Sequence, residues 1–200
     1  MTHDLKRGSC TTHPIGVFAA NTLTCCNLCL GVKAVINGLD DCHQHTARLI
    51  MMCAVIDTMD GPIARHLGGT TPRGAALDSL ADLVSFAVAP ALLVTQKPGP
   101  SRCMRDVAAV HIVAGAWRLA RHQTRPRHVG VFEGLPVTAA GVVLAAGSVS
   151  SLGSRGMATL ATVLSVMMVS RLPVPSVQVV GAILARRMYN LCRTRPVRCP

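Results

Sequence analysis

Acidic and aromatic side chains are scarce in this chain of 200 residues. It has nine Asp and Glu residues against 20 Lys and Arg residues, and only one Trp, one Tyr and three Phe. Charged residues make up 14% of the chain, and half of the residues are hydrophobic. A soluble domain of this size normally carries more charge. The composition therefore favours a membrane-embedded chain over a soluble globular domain.

The shortage of aromatic residues also bears on the formal net charge of +11. A basic protein can bind nucleic acid, but proteins that do so commonly present aromatic side chains on which the bases stack. The basic residues here are spread over the connecting segments. We therefore predict no nucleic-acid partner, and we attribute the charge to attraction between arginines and the anionic headgroups of membrane lipids.

Apolar stretches bounded by Pro, Gly or charged residues are candidate membrane spans. They lie at about residues 14–36, 46–64, 76–96, 106–122, 131–152 and 157–172. The expected fold class is all-α: a polytopic membrane protein with about six transmembrane helices. One membrane-embedded domain, 1–200, is expected, with cytoplasmic tails at 1–13 and 186–200. The first 30 residues lack the pattern of a cleaved signal peptide, and the run Val177–Leu184 is too short to span the bilayer.

The basic residues are distributed unevenly between the two sides that six spans create. With the N-terminus inside, most Lys and Arg residues fall on the inner side. The outer loops hold only Arg48, Lys97, Arg102, Arg105 and Arg155. The positive-inside rule favours this orientation. It predicts a protein of the cell membrane with several spans.

Four of the few acidic residues lie near the inner ends of the second and third predicted spans. Asp57 and Asp60 are three positions apart, and Asp78 and Asp82 are four apart, so each pair shares one face of its helix. A carboxylate at membrane depth costs on the order of several kcal/mol unless it is paired, hydrated or bound to a cation. Oxygen ligands favour Mg²⁺ or Mn²⁺ over zinc, with two ions expected. Solvated carboxylates at the helix ends are the alternative.

These acidic residues belong to a longer motif. Its residues are Asp57, Asp60, Gly61, Ala64, Arg65, Gly74, Asp78 and Asp82, with a gap of eight residues after Arg65. At every position this motif resembles the signature of the CDP-alcohol phosphotransferases. Within that family, the segment Leu77–Leu93 resembles the bacterial membrane-embedded phosphatidylserine synthases. Shorter fragments at Arg118–Arg121, Phe132–Pro136 and Met168–Pro173 agree, and the resemblance runs from about residue 20 to about residue 175.

The resemblance implies the family's fold and a reaction. The phosphatidyl group of CDP-diacylglycerol would pass to the hydroxyl of L-serine, giving phosphatidylserine and CMP. The metal ligands would be Asp57, Asp60, Asp78 and Asp82, and Asp82 would also be the catalytic base. Dimers are common among the family, so a homodimer is expected. Another acceptor, such as glycerol phosphate or inositol phosphate, remains open, as does a cation-transport site outside the enzymes.

The resemblance also implies a substrate-binding set. The small residues Gly61 and Ala64 would let the helix lie close to the nucleotide. Arg65 and Thr71 would contact the CDP-lipid, through a charge-assisted phosphate contact and a hydroxyl hydrogen bond. Gly74 completes the set.

Other polar residues within the predicted spans have two interpretations each. Arg118 and Arg121 share a helix face, and they are either inner-side anchors or candidates for binding the serine carboxylate, because a guanidinium fork suits carboxylates. Asn21 and Asn27 lie in the first span. They either form hydrogen bonds between helices or contact the nucleotide headgroup.

Overall fold

The computed structural model describes residues 14–40, 42–66, 71–97, 101–124, 131–150, 152–170 and 173–175. Within this part of the chain, six helical rods and two short strands are present. The helices are α1 (Pro14–Leu39), α2 (His43–His66), α3 (Pro72–Leu83), α4 (Ala89–Thr95), α5 (Ser101–Thr124), α6 (Val137–Val149) and α7 (Ser154–Val169). A π-helical turn, Val84–Val88, joins α3 and α4 into one continuous rod. The predicted helical fold is confirmed.

Two of the rods are long and apolar enough to cross a membrane, Gly16–Leu39 and Pro72–Thr95. The helices α6 and α7 are apolar but shorter, with 13 and 16 residues. The helices α2 and α5 have 24 residues each but include more charged side chains. The number of rods in the described residues therefore agrees with the prediction, whereas hydropathy and length support a membrane span for only two of them.

The predicted span 131–152 is wrong in its first part. Residues Val131–Glu133 form a strand, β1, that pairs antiparallel with the second strand, β2 (Pro173–Pro175). Gly134 follows β1 with a φ of +80°, in the left-handed region that favours glycine. Pro136 then precedes α6 in an extended conformation. Gly134 and Pro136 together prevent a continuous helix over this stretch, and α6 begins only at Val137.

The π-helical turn lies in the middle of the bundle, and glycines from three other helices pack against it. Gly31 of α1 faces Ser85, Gly115 of α5 faces Ala87, and Gly141 of α6 faces Phe86. A Cβ atom added to Gly141 would lie only 2.8 Å from the carbonyl oxygen of Phe86. The neighbouring helices therefore approach the turn at backbone distance, as is common for small residues in membrane helices.

The helices around this turn form one apolar core. The helix α1 packs along α2, α5 packs along α7, and α2 packs against α6. Large side chains that are fully buried include Ile50, Phe86, Leu93, Leu144, Met157 and Met168. In this core α2 packs against α6, and α3 contacts both α5 and α6. The packing brings the acidic residues of α2 and α3 to one place.

Candidate active site

Three of the four predicted acidic ligands converge. Asp57 of α2 and Asp78 and Asp82 of α3 each place one carboxylate oxygen within 4.8 Å of the others. All three side chains are partly buried. Asp57 and Asp82 are close enough to share a hydrogen bond. The backbone of Asp60 continues the same helix one turn after Asp57, but its side chain lies outside the described residues.

The grouping of these three carboxylates is unfavourable by itself. Two unit charges 4 Å apart repel each other by about 4 kcal/mol at an effective dielectric constant of about 20. A bound cation or a shared proton removes this repulsion. The donor set consists of carboxylate oxygens, which suits a hard divalent cation such as Mg²⁺ or Mn²⁺. The thiol of Cys53, one turn before Asp57, instead donates to the carbonyl oxygen of Asn27 at 3.7 Å.

A third helix, α6, supports the cluster through Thr138. The hydroxyl of Thr138, on α6, donates a hydrogen bond to Oδ2 of Asp57 at 3.2 Å. This bond restrains the carboxylate of Asp57 in one orientation, as partners of metal ligands commonly do. The sequence analysis missed Thr138, because it lies 81 positions from Asp57. The only signal was a polar residue close to the start of an apolar stretch.

A buried polar group lies one helical turn from the acidic cluster. It consists of Asn27 on α1, Cys53 on α2 and Ser85 in the π-helical turn, all fully buried. The hydroxyl of Ser85 is 3.4 Å from the carbonyl oxygen of Asn27 and 3.5 Å from its Oδ1. Because Cys53 precedes Asp57 by four residues and Ser85 follows Asp82 by three, these contacts connect α1 to both acid-bearing helices. Asn27 therefore makes contacts between helices.

The N-terminus of α3 holds two of the predicted substrate-binding residues. Thr71 caps this helix, since its Oγ1 accepts a hydrogen bond from the backbone N–H of Gly74 at 3.0 Å. A Cβ atom on Gly74 would lie 3.1 Å from both Thr71 Oγ1 and Oδ1 of Asn21. Gly74 therefore allows α1 to pack closely against the start of α3, one turn before Asp78. The hydroxyl hydrogen of Thr71 is left for another acceptor.

The two arginines of α5 have different surroundings. Arg118 is buried, with 9% of its surface exposed, and interacts electrostatically with Asp82. Among the described residues, its Nε has no hydrogen-bond partner. Arg121 instead donates to backbone carbonyl oxygens at the end of α7: Nη1 to Val169 at 3.1 Å and Nη2 to Ser170 at 3.4 Å.

Gly134 packs against Arg121 and the end of α7. A Cβ atom on Gly134 would lie 2.8 Å from the carbonyl oxygen of Ser170 and 3.2 Å from Nη2 of Arg121. The backbone N–H of Leu135 also donates to the carbonyl oxygen of Met167, at 3.2 Å. Arg121 therefore belongs to the junction between β1 and α7.

Three further predicted residues, Gly61, Ala64 and Arg65, lie in the last turns of α2. Their backbone is helical, as the motif predicts. Their side chains lie outside the described residues, so their substrate contacts stay predictions.

Residues 17–193 match the CDP-alcohol phosphatidyltransferase family. Because this match covers most of the chain and includes the acidic cluster, the chain belongs to that family.

Individual relatives agree with this membership. The chain is 36% identical over 110 residues to the CDP-diacylglycerol–serine O-phosphatidyltransferase of Methanocaldococcus jannaschii, over 55% of this chain and 53% of that protein. It is 31% identical over 136 residues to the enzyme of the same name from Helicobacter pylori, over 66% of this chain and 57% of that protein. It is 28% identical over 164 residues to the archaetidylserine synthase of Methanothermobacter thermautotrophicus, over 80% and 70%. The chain thus spans little more than half the length of the first two relatives.

Proposed function

We propose that this chain transfers the phosphatidyl group of CDP-diacylglycerol to the hydroxyl of L-serine, giving phosphatidylserine and CMP. The observation that carries the proposal is the convergence of Asp57, Asp78 and Asp82 within a chain of the CDP-alcohol phosphatidyltransferase family. The choice of serine is supported by the names of the relatives, which share serine. The segment Leu77–Leu93 supports it by its resemblance to the phosphatidylserine synthases.

The chemistry requires an attacking hydroxyl, a base and a way to neutralise charge on the leaving group. Asp82 takes the proton of the serine hydroxyl as that oxygen attacks the phosphatidyl phosphorus. The bond from this phosphorus to the bridging oxygen of the pyrophosphate breaks, and CMP leaves. Thr138 keeps Asp57 in the orientation that the cluster requires.

The metal ligands in this proposal are the four aspartates of the motif, Asp57, Asp60, Asp78 and Asp82. When bound there, two Mg²⁺ or Mn²⁺ ions would supply positive charge for the pyrophosphate and make CMP a better leaving group. Three of the four carboxylates fit such a site by their mutual distances.

The remaining motif residues surround the nucleotide end of the lipid in this proposal. Gly61 and Ala64 leave room for the nucleotide beside α2, and Arg65 contacts a phosphate. Thr71 donates its hydroxyl hydrogen to the CDP-lipid while its oxygen caps α3. Gly74 keeps this end of α3 free of side-chain bulk.

The assay that tests the reaction uses membranes that contain the expressed chain. Labelled serine is added with and without CDP-diacylglycerol, and label is measured in the lipid phase together with released CMP. We expect lipid label that depends on CDP-diacylglycerol and one CMP for each labelled lipid. With the Asp82→Asn variant the label should fall by about 10²-fold or more. If glycerol 3-phosphate or inositol phosphate supports CMP release and serine does not, the proposed acceptor is wrong.

We also propose that the chain is a single multi-pass domain of the cell membrane, with six spans, the N-terminus inside, the active site at the cytoplasmic face, and a homodimeric state. The distribution of arginines supports this orientation. Variants that keep a single cysteine test it with a labelling reagent that cannot cross membranes. Cys42, which is exposed between α1 and α2, should react from outside intact cells, and Cys10 should not. The reverse pattern would invert the proposed orientation.

A further inference from the structure

We propose that Arg118 binds the carboxylate of the amino-acid acceptor and so selects serine over alcohols that lack this group. The inference rests on the proposed function, because it assigns the part of the active site that receives serine. It adds a specificity-determining residue to the four aspartates, on a helix outside the acidic motif.

Arg118 is a buried cation that lacks one of its hydrogen-bond acceptors among the described residues. Arg118 is 9% exposed, and within the described part of the chain its Nε–H has no acceptor. A guanidinium carries five N–H donors in a planar fork, and burial of an unfilled donor is unfavourable unless an anion completes the arrangement. A carboxylate bound by two parallel hydrogen bonds is the anion that this fork fits best.

The position of Arg118 also suits the binding of a serine carboxylate. Arg118 interacts electrostatically with Asp82, the proposed base. In serine, the carbon that bears the hydroxyl and the carboxylate carbon are both bonded to Cα. An anchor for the carboxylate must therefore lie close to the group that takes the hydroxyl proton. Arg118 meets this requirement from α5.

Arg121, one turn away on the same helix, differs from Arg118 in its hydrogen-bond partners. Its guanidinium already donates to the carbonyl oxygens of Val169 and Ser170, at the C-terminal end of α7. A cation at this end of a helix is also favoured by the helix dipole. Arg121 is therefore a structural residue of the junction between β1 and α7, and the acceptor site is left to Arg118.

The test measures KM separately for serine and for CDP-diacylglycerol in Arg118→Gln and Arg118→Lys. Ethanolamine, which is serine without its carboxylate, is assayed in parallel. We expect Arg118→Gln to raise the KM for serine by about 10- to 100-fold, the size expected for hydrogen bonds to a charged group. Its KM for CDP-diacylglycerol and its rate of transfer to ethanolamine should stay within about twofold of those of the unmodified protein. Arg118→Lys, which keeps the charge but not the fork, should fall between.

The matched control is Arg102→Gln, which removes an exposed arginine from the same helix and should change neither KM. Thermal unfolding with and without CDP-diacylglycerol checks that each variant is folded. A rise in the KM for CDP-diacylglycerol alone would assign Arg118 to the pyrophosphate and overturn the proposal. An equal loss of serine and ethanolamine transfer would reduce it to a structural role.

A failure of the proposed function gives a different result. In that case the unmodified protein transfers nothing to serine, whatever residue stands at position 118. If it then uses glycerol 3-phosphate, and Arg118→Gln raises the KM for that acceptor, the anchor recognises a phosphate and the carboxylate assignment is wrong.

Discussion

The two ends of the helical bundle both carry polar side chains, but they use them differently. At the end that we call the outer end, side chains satisfy helix termini. His43 donates to Oε1 of Gln96 at 2.6 Å, and Nε2 of Gln96 donates to the carbonyl oxygen of Gly38. Lys97 donates to the carbonyl oxygen of Ser148 at 2.9 Å. The last carbonyl groups of a helix have no partner within it, so these bonds serve the fold.

At the acidic cluster, by contrast, repulsion between the three carboxylates lowers the stability of the fold. Asp57, Asp78 and Asp82 bring like charges together, and Arg118 is buried with an unfilled Nε donor. The outer end pairs donors with acceptors, whereas the acidic cluster brings three carboxylates within 4.8 Å of one another. Groups that are unfavourable in the protein alone, yet held by four helices, are typical of sites that a ligand completes. The difference therefore supports the proposed site at one end and a structural role for the polar side chains at the other.

The largest effect is expected when divalent cations are removed, because this change should act on the acidic cluster. Excess chelator should abolish phosphatidyl transfer, and Mg²⁺ or Mn²⁺ should restore it, because the charge of the acidic cluster is then uncompensated. Added Mn²⁺ should also raise the unfolding temperature of the chelated protein, since a ligand that binds only the folded state stabilises it. Among the described residues, the outer end shows no comparable group of carboxylates. Full turnover in excess chelator would contradict the metal assignment.

The next effect separates chemistry from binding within the cluster. Asp82→Asn removes the proton acceptor and should lower turnover by about 10²- to 10⁴-fold, the usual contribution of a general base. Binding of CDP-diacylglycerol should persist. Asp57→Asn should weaken both cation and lipid binding. Turnover and ligand-induced thermal stabilisation are measured side by side, with Asp106→Asn on the exposed face of α5 as the matched control. Near-normal turnover of Asp82→Asn would remove the base assignment.

The sequence was sufficient for the part of the site that depends on local periodicity. Asp78 and Asp82 are one turn apart, so their common face followed from helix geometry. Their approach to Asp57 followed from the placement of both pairs near the inner ends of the second and third predicted spans. The helical rods were predicted from apolar stretches bounded by Pro, Gly or charged residues. The motif also named Asp60, but its side chain lies outside the described residues and its role stays a prediction.

The sequence was insufficient where tertiary packing decides. Arg118 and Arg121 looked equivalent, since residues three apart along a helix share a face. Yet Arg118 is buried, whereas Arg121 is only partly buried and contacts the end of α7. The strand β1 was missed because its apolar residues continued into those of α6. Gly134 and Pro136 carried the signal for that interruption, and hydropathy outweighed it in the prediction.

A smaller effect is expected from the residue that supports the cluster from α6. Thr138→Val keeps the side-chain shape but removes the hydroxyl that donates to Asp57. Apparent affinity for Mn²⁺ should fall by about 10- to 100-fold, the range seen when a partner of a metal ligand is lost, and excess Mn²⁺ should recover turnover. Thr162→Val is the matched control, because that hydroxyl donates to the carbonyl oxygen of Ala158 within its own helix. An unchanged Mn²⁺ dependence of Thr138→Val would show that the bond does not orient Asp57.

The smallest effect is expected from a substitution at the outer end, where Lys97 supports the end of α6. Lys97→Met keeps the length of the side chain but removes the donor to Ser148, and should lower the free energy of unfolding by about 1 kcal/mol, the net value of an ordinary hydrogen bond. Turnover and both KM values should not change, because this end supports helix termini only. Lys33→Met, an exposed position on α1, removes the same charge and should leave the stability within about 0.5 kcal/mol. Unfolding in detergent and the serine assay give the two readouts. If Lys97→Met lowered turnover in a folded protein, the outer end would be coupled to catalysis, and the division between a supporting end and a functional end would be wrong.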